Sequence, residues 1–167
     1  MNKVFFDLEW NTGFLDGNSF DEIIEIGAVK TDEEYRQIDG FRRLIRPVIY
    51  RKMNPYIQKI LAITMKDLQG EEPLAAVAKV FFDWCGDCDT LIAWSGNDFG
   101  VLEKNLAHIG MKIPEQLGRY DVQMAYAYRT ENSIRNYALK TAVEAMELPE
   151  PEGQEYHDAY CDAQFTA

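Results

Sequence analysis

Three strand-like runs follow one another before any helical signal, and this order constrains the fold more than any other feature of the chain. Residues 3–9 are a short apolar run rich in aromatic and β-branched side chains, residues 22–31 alternate apolar with polar positions, and residues 40–46 form a third such run. Successive strands with no helix between them predict an antiparallel meander. Helical spacing then appears at residues 54–63, through Ile57, Ile60 and Leu61, with Pro55 suited to a first helical position. Residues 73–84 read as a longer amphipathic helix, carrying Leu74, Val77, Val80, Phe81 and Trp84 and stopped by Gly86. A buried strand at 90–94 ends at Ser95-Gly96-Asn97, and a helix over 99–109 follows, spaced by Leu102 and Leu106. Residues 119–129 fit either a short strand or a helix. Residues 132–148 are predicted as one helix capped by Asn132 or Ser133, residues 149–153 as a loop, and a final helix is expected to begin near His157. Strands first, then helices alternating with strands, predict a mixed α/β fold with helices covering a mixed sheet.

At 167 residues and 47% hydrophobic, the chain is expected to form one domain, residues 1–167, with a core that needs no disulfides. No apolar run reaches the length of a membrane span and the first residues lack a signal-peptide pattern, so a soluble, cytoplasmic protein with no membrane partner is expected. Cys85, Cys88 and Cys161 are an odd number, which disfavours a disulfide framework, and Cys85-x-x-Cys88 is at most half a zinc site. The net charge of −11 argues against a surface that grips nucleic acid everywhere. A carboxylate site that binds cations would carry part of that charge and invert its sign locally. One basic run, from Arg42 to Lys52, breaks the acidic trend, either as a charged strand edge or as a phosphate contact.

The acidic residues with a chemical pattern lie in three places. Asp7 and Glu9 are two apart on a strand, so both side chains leave the same face, and neighbouring carboxylates are stable together when a cation lies between them. Hard oxygen ligands of this kind suit Mg²⁺ or Mn²⁺. Asp98 stands just beyond a buried strand at the start of a helix, where it serves equally well as a helix cap or as a ligand. His157 and Asp162 are five apart, about 140° around a regular helix, so they share a face only if His157 lies outside it. Asp158, one turn before Asp162, is either a further ligand or a surface charge.

Taken together, Phe5-Phe6-Asp7-Leu8-Glu9-Trp10, Leu91-Ile92-Ala93-Trp94-Ser95-Gly96-Asn97-Asp98 and His157-x4-Asp162 resemble, in order and spacing, the three motifs of the DEDDh 3′–5′ exonucleases. The segment from Glu22 to Val29 is similar to that family's second strand. Trp10, the Ala62-Ile63-Thr64 segment and Trp94 look closest to the branch that trims the 3′ ends of structured and small RNAs. The resemblance implies a ribonuclease H-like fold, with a five-stranded mixed sheet whose first three strands are antiparallel. It implies two divalent cations, Mg²⁺ or Mn²⁺, the first held by Asp7, Glu9 and Asp162 and the second by Asp7 and, through water, Asp98. His157 would then be the general base, for which a histidine's ordinary titration near neutrality is suited. Asp121 competes with Asp98 for the third carboxylate, and Asp98 is preferred because it follows the buried strand.

The implied substrate is nucleic acid with a free 3′ end, RNA favoured over DNA, with Trp10, Asn11, Thr12 and Phe14 as candidate contacts to the terminal bases. The competing reading for Trp10 is core packing. A non-catalytic binding module that keeps the fold is the alternative from another class, and a DNA-directed proofreading exonuclease the alternative within it. Related enzymes that dimerise place basic patches across the interface, so the Arg42 to Lys52 run leaves a homodimer among the expectations. The family's final helix normally runs further than the five residues that follow Asp162, so a shortened last helix is expected.

Overall fold

The computed structural model describes residues 1–131, 136–148 and 156–167. Five strands form one sheet in the order β3-β2-β1-β4-β5: β1 (Lys3–Leu15), β2 (Asn18–Thr31), β3 (Gln37–Leu44), β4 (Thr90–Ala93) and β5 (Gly118–Asp121). The first three are antiparallel, while β4 and β5 join β1 in parallel, as the order of elements predicts. The helices are α1 (Ile57–Ile60), α2 (Met65–Leu68), α3 (Leu74–Cys85), α4 (Gly96–His108), α5 (Val122–Glu131), α6 (Leu139–Ala145) and α7 (Ala159–Thr166).

Strand β1 explains both faces of the sheet. Val4, Phe6 and Leu8 point to the side where Phe81 of α3 and Phe99, Leu102 and Leu106 of α4 complete the main core. Phe5 points the other way, to a smaller cluster with Val29 and Ile92 against which Tyr160 of α7 packs. Asp7 and Glu9 continue that second face. A third cluster, around Ile24, is built from Met53, Leu61 and Leu68 and holds the connection between β3 and α3.

The first two strands are longer than the sequence reading of 3–9 and 22–31. They run on as a ribbon to Asp16-Gly17, where φ values of 50° and 81° make the two-residue hairpin that Asp-Gly favours. Trp10, Asn11, Thr12 and Phe14 are therefore part of β1 and do not follow it. A register shift between Glu9 and Trp10 leaves Ile24 without a partner on β1, and its side chain lies in the third cluster. The expected helix at 54–63 is reduced to four residues, because Leu61 adopts an extended backbone and Thr64 starts α2. Residues 119–129 prove to be both strand and helix. Of the predicted 132–148 helix, the described residues 136–148 hold α6 from Leu139 to Ala145, with Ala138 extended ahead of it. The Asn132 and Ser133 caps and the 149–153 loop lie outside the described residues.

Helix α7 lies directly on the sheet opposite Asp7. Its first turn rests on Gly27, the cross-strand partner of Asp7, and a Cβ at position 27 would collide with the backbone of Ala159 and Tyr160. Gly40 leaves room in the same way for the ring of Tyr160. Among the described residues, no helix is long and apolar enough to cross a membrane. Cys85, Cys88 and Cys161 are buried, and burial pushes the Cys85 thiol up to about 12, so Cys85 behaves as an apolar core residue.

Substituting Gly27→Ala should destabilise the protein by about 3 kcal/mol, the upper range for overpacking a filled site. Amide exchange should accelerate first in α7. A thermal melt and hydrogen exchange check this, and a wild-type midpoint with a protected α7 would contradict the seating described.

Candidate active site

A cleft of about 310 Å³ opens where the middle of β1 and the carboxyl-side end of β4 meet α7, and its lining includes Asp7, Glu9, Asp98, His157 and Asp162. Each arrives by a different route. Asp7 and Glu9 come from alternate positions of β1, as period-two geometry requires. Asp98 lies in the first turn of α4, 4% exposed. The cap of that helix is Ser95, whose side chain accepts from the Asn97 N–H, so Asp98 is not needed as the N-cap. Asp162 is in the first turn of α7, where Asp158 is the cap and accepts from the Cys161 N–H.

His157 precedes α7 with φ of 68°, a left-handed conformation uncommon for a residue with a side chain. This places it outside the helix, the arrangement that lets it share a face with Asp162. Its backbone N–H donates to Asp162 Oδ2 at 3.2 Å. Ligand-capable atoms of Glu9, His157 and Asp162 lie within 4.8 Å of one another.

Burial and mutual repulsion act on the acids together. Burial is the larger cause for each, pushing Glu9 up to about 8, Asp98 to about 7 and Asp162 to about 6, and Asp7 well above the usual carboxylate range. The charges of Asp162, Glu25 and Asp98 add to the shift of Glu9, while Asp98, Asp162, Glu9 and Glu25 add to that of Asp7. Backbone N–H groups of Asp98 and Leu8 partly offset the effect at Asp98, and that of His157 does so at Asp162. Asp162 Oδ1 is buried without a hydrogen-bond partner. An unpaired buried carboxylate oxygen beside other carboxylates fits a hard divalent cation, which supplies the missing partner and the missing charge.

Asp121 stands elsewhere. Its Oδ2 accepts from the Gly96 N–H at 2.8 Å and its Oδ1 from the Met124 N–H at 2.9 Å, so it joins the β4–α4 turn to the start of α5. Asp158 is likewise occupied, as the cap of α7 and as a partner of Arg42 Nη2. Arg42 Nε also donates to Glu25 Oε1 at 2.7 Å, and Glu25 is a fully buried residue paired across the sheet with Glu9.

The four expected base contacts separate. Trp10 lines the cleft and also packs against the main core, so both readings of it meet in one side chain. Asn11 is 1% exposed and is not among the residues lining the cleft; its amide donates to the Lys52 carbonyl and accepts from the Asn54 N–H. Thr12 donates to Asp21 Oδ1. Phe14 is exposed near the hairpin tip, roughly 17 Å along the strand from Glu9. The cleft is completed by Ile57, Ile60 and Leu61, together with Trp94, Asn97 and Leu139. Sequence reasoning read the first three only as the apolar spacing of a helix, and the four-residue α1 leaves none of its own residues fully buried. Thr64, from the segment that suggested RNA trimming, donates its hydroxyl to Asp67 Oδ2 at the start of α2.

The sheet order and the helices on its two faces are those of the ribonuclease H-like fold. The nuclease domain of 3′hExo, a DEDDh family member solved with rAMP, superposes with a TM-score of 0.81 at 17% identity, covering 98% of this chain and 86% of that one. Exonuclease I of E. coli, solved with a dA16 oligonucleotide, superposes with a TM-score of 0.70 at 18% identity, over 99% of this chain and 39% of that one. The RNase T-type exonuclease family model matches residues 4–167, and the chain belongs to that family. A curated relative, the PolC-type DNA polymerase III of Clostridium perfringens, is 34% identical over 112 residues, which are 66% of this chain and 7% of the polymerase. Divalent cations generally serve this family.

Because Glu9, Asp98 and Asp162 have folded-state values above their unfolded ones, the stability they contribute is full below about pH 4 and is lost as pH rises through about 6 to 8. In chelator, the thermal midpoint should therefore fall between about pH 5 and about pH 8.5, and Mg²⁺ or Mn²⁺ should raise it more at the higher pH. A midpoint that is flat or climbs over this range without metal would contradict the electrostatics described.

Proposed function

We propose that this domain, residues 1–167, is a divalent-cation-dependent 3′–5′ exonuclease that releases nucleoside 5′-monophosphates from the free 3′ end of a single-stranded nucleic acid, RNA in preference to DNA. The observation that carries the reading is the convergence on one cleft of four carboxyl groups, with Asp162 Oδ1 buried and unpaired. Asp7, Glu9 and Asp162 would hold one cation and Asp7 with Asp98 a second, both Mg²⁺ or Mn²⁺. Bound there, the cations would supply charge stabilisation of a phosphodiester displacement and a more acidic attacking water.

The chain's own groups account for the rest. His157, exposed at the rim beside Glu9 and Asp162, takes the proton of the attacking water on an imidazole nitrogen. The hydrogen bond from its backbone to Asp162 ties the position of the base to that of a ligand, so the two move together. Trp10 offers a face on which a terminal base stacks, a contact that tolerates every base, and Ile57 and Ile60 close the apolar side of the cleft. Asp121 orients the β4–α4 turn and through it Asp98.

The preference for RNA is supported by the resemblance carried by Trp10 and Trp94. The 34% identity to a PolC-type DNA polymerase supports the second reading, a DNA-directed exonuclease of the proofreading type. Rates on matched RNA and DNA oligomers decide between them.

His157→Ala should lower kcat by about 100- to 10,000-fold with metal affinity retained, as expected of a base. Asp7→Ala should lose both activity and metal binding by calorimetry. Loss of metal affinity in His157→Ala would make the histidine a ligand, which its distance to Glu9 and Asp162 also allows. A 3′-phosphate should block degradation, and cleavage of a circular single strand would replace the exonuclease reading with an endonuclease.

A further inference from the structure

Charge is strongly segregated along this chain. Residues 40–66 contain Arg42, Arg43, Arg46, Arg51, Lys52, Lys59 and Lys66 and not one Asp or Glu, in a protein with 17 basic and 28 acidic residues. Three of the seven are committed internally: Arg42 to Glu25 and Asp158, Arg43 to the Arg42 carbonyl, and Arg46 to the Glu71 carbonyl. Arg51, Lys52, Lys59 and Lys66 are exposed, and among the described residues none of them makes an ion pair.

The backbone that carries Arg51 and Lys52 is held by two buried polar side chains. Glu22, 5% exposed, accepts from the N–H groups of Val48, Ile49 and Tyr50 at 2.6, 2.8 and 2.8 Å. Asn11 donates to the Lys52 carbonyl at 3.0 Å and accepts from the Asn54 N–H at 2.8 Å, while Asn54 donates to the Thr12 carbonyl. Asn11 stands two residues beyond Glu9, roughly 7 Å along the strand. The irregular stretch from 48 to 54 is thus tied to the catalytic strand next to its carboxylates. It leads through Tyr56, whose ring is 69% exposed, into Ile57 and Ile60 of the cleft wall. Basic side chains with an exposed aromatic between them, on a fixed backbone that ends in the cleft, form a track for a sugar-phosphate chain and its bases.

We propose that Arg51, Lys52, Tyr56 and Lys59 bind the nucleotides immediately 5′ of the terminal one, holding a single strand by its phosphates while its 3′ end occupies the cleft. This rests on the exonuclease reading and adds to it the path of the strand. It also resolves the conflict between an acidic protein and a polyanionic substrate, because the positive charge is concentrated where the strand enters. None of these four residues touches the reacting atoms, so their effect falls on substrate affinity and not on the chemical step.

The test compares wild type with the double variant Arg51→Ala/Lys52→Ala and with Lys59→Ala, on a single-stranded oligomer of about ten nucleotides and on the p-nitrophenyl ester of thymidine 5′-monophosphate. A control, Lys79→Ala/Lys104→Ala, makes the same change in net charge on the exposed surfaces of α3 and α4. For the first double variant, KM on the oligomer should rise about tenfold at low salt with kcat unchanged. The dependence of log KM on log salt should flatten by about 1.4, the value for two lost single-strand phosphate contacts. Hydrolysis of the ester, which has no nucleotide 5′ of the reacting one, should be unchanged. Wild-type KM and salt dependence in both test variants, or the same loss in the control, would overturn the track. A wild-type protein inactive on ester and oligomer alike, with either metal, would overturn the exonuclease reading and the track with it.

Discussion

Four carboxyl groups crowd one cleft, where both burial and mutual repulsion disfavour their charged forms, and the surrounding architecture is a way of tolerating this. Each acid is fixed by an element that is anchored elsewhere. Asp7 and Glu9 belong to the central strand of the sheet, with Phe6 and Leu8 sunk in the core behind them. Asp98 is delivered by a helix whose own cap is a different residue, Ser95. Asp162 arrives on α7, which reaches the sheet because Gly27 has no side chain. None of the four can retreat from the others without disturbing a packed interface, so a cation is the available relief.

The neighbouring polar residues take their meaning from this constraint. Arg42 bridges Glu25, behind Glu9, to Asp158, the cap of the helix that carries Asp162. One guanidinium thus links the strand side of the cleft to its helix side, and does so from the edge of the sheet. Asp121 performs a similar service for the turn that precedes Asp98. Glu22 and Asn11, both buried, extend the same logic to the connection that forms the apolar wall.

Much of this was legible in the sequence, for reasons that differ from element to element. The strands at 3–9 and 22–31 and the helix at 73–84 have one strongly apolar face, and periodicity reads such faces directly. The ribbon from Trp10 to Asp21 was missed because its side chains are mostly polar on both faces, although Asp16-Gly17 is a turn signal that marks its end. The helices near 54–63 and 132–148 were overextended, since spacing alone does not register an extended residue such as Leu61. Within the site, Asp7, Glu9, His157 and Asp162 stand in recognisable spacings. Asp98 stands just beyond β4 and Asp121 ends β5, and the fold separates them by placing Asp98, buried, in the cleft and turning Asp121 to the N–H groups of Gly96 and Met124. Nothing in the sequence neighbourhood of Asn11 reveals that its partners are Lys52 and Asn54.

The position of α7 has a consequence for how the molecule comes into being. Asp7 and Asp162 are brought together from almost opposite ends of the described chain, and the helix that joins them docks on strands that must already be paired. Contacts so distant in sequence form late, after the loop between them has closed. A chain in which α7 has not docked therefore has its acids scattered with no common cleft, and the proposed chemistry would need that docking. Activity in such a protein would double as a report that α7 has docked on the sheet.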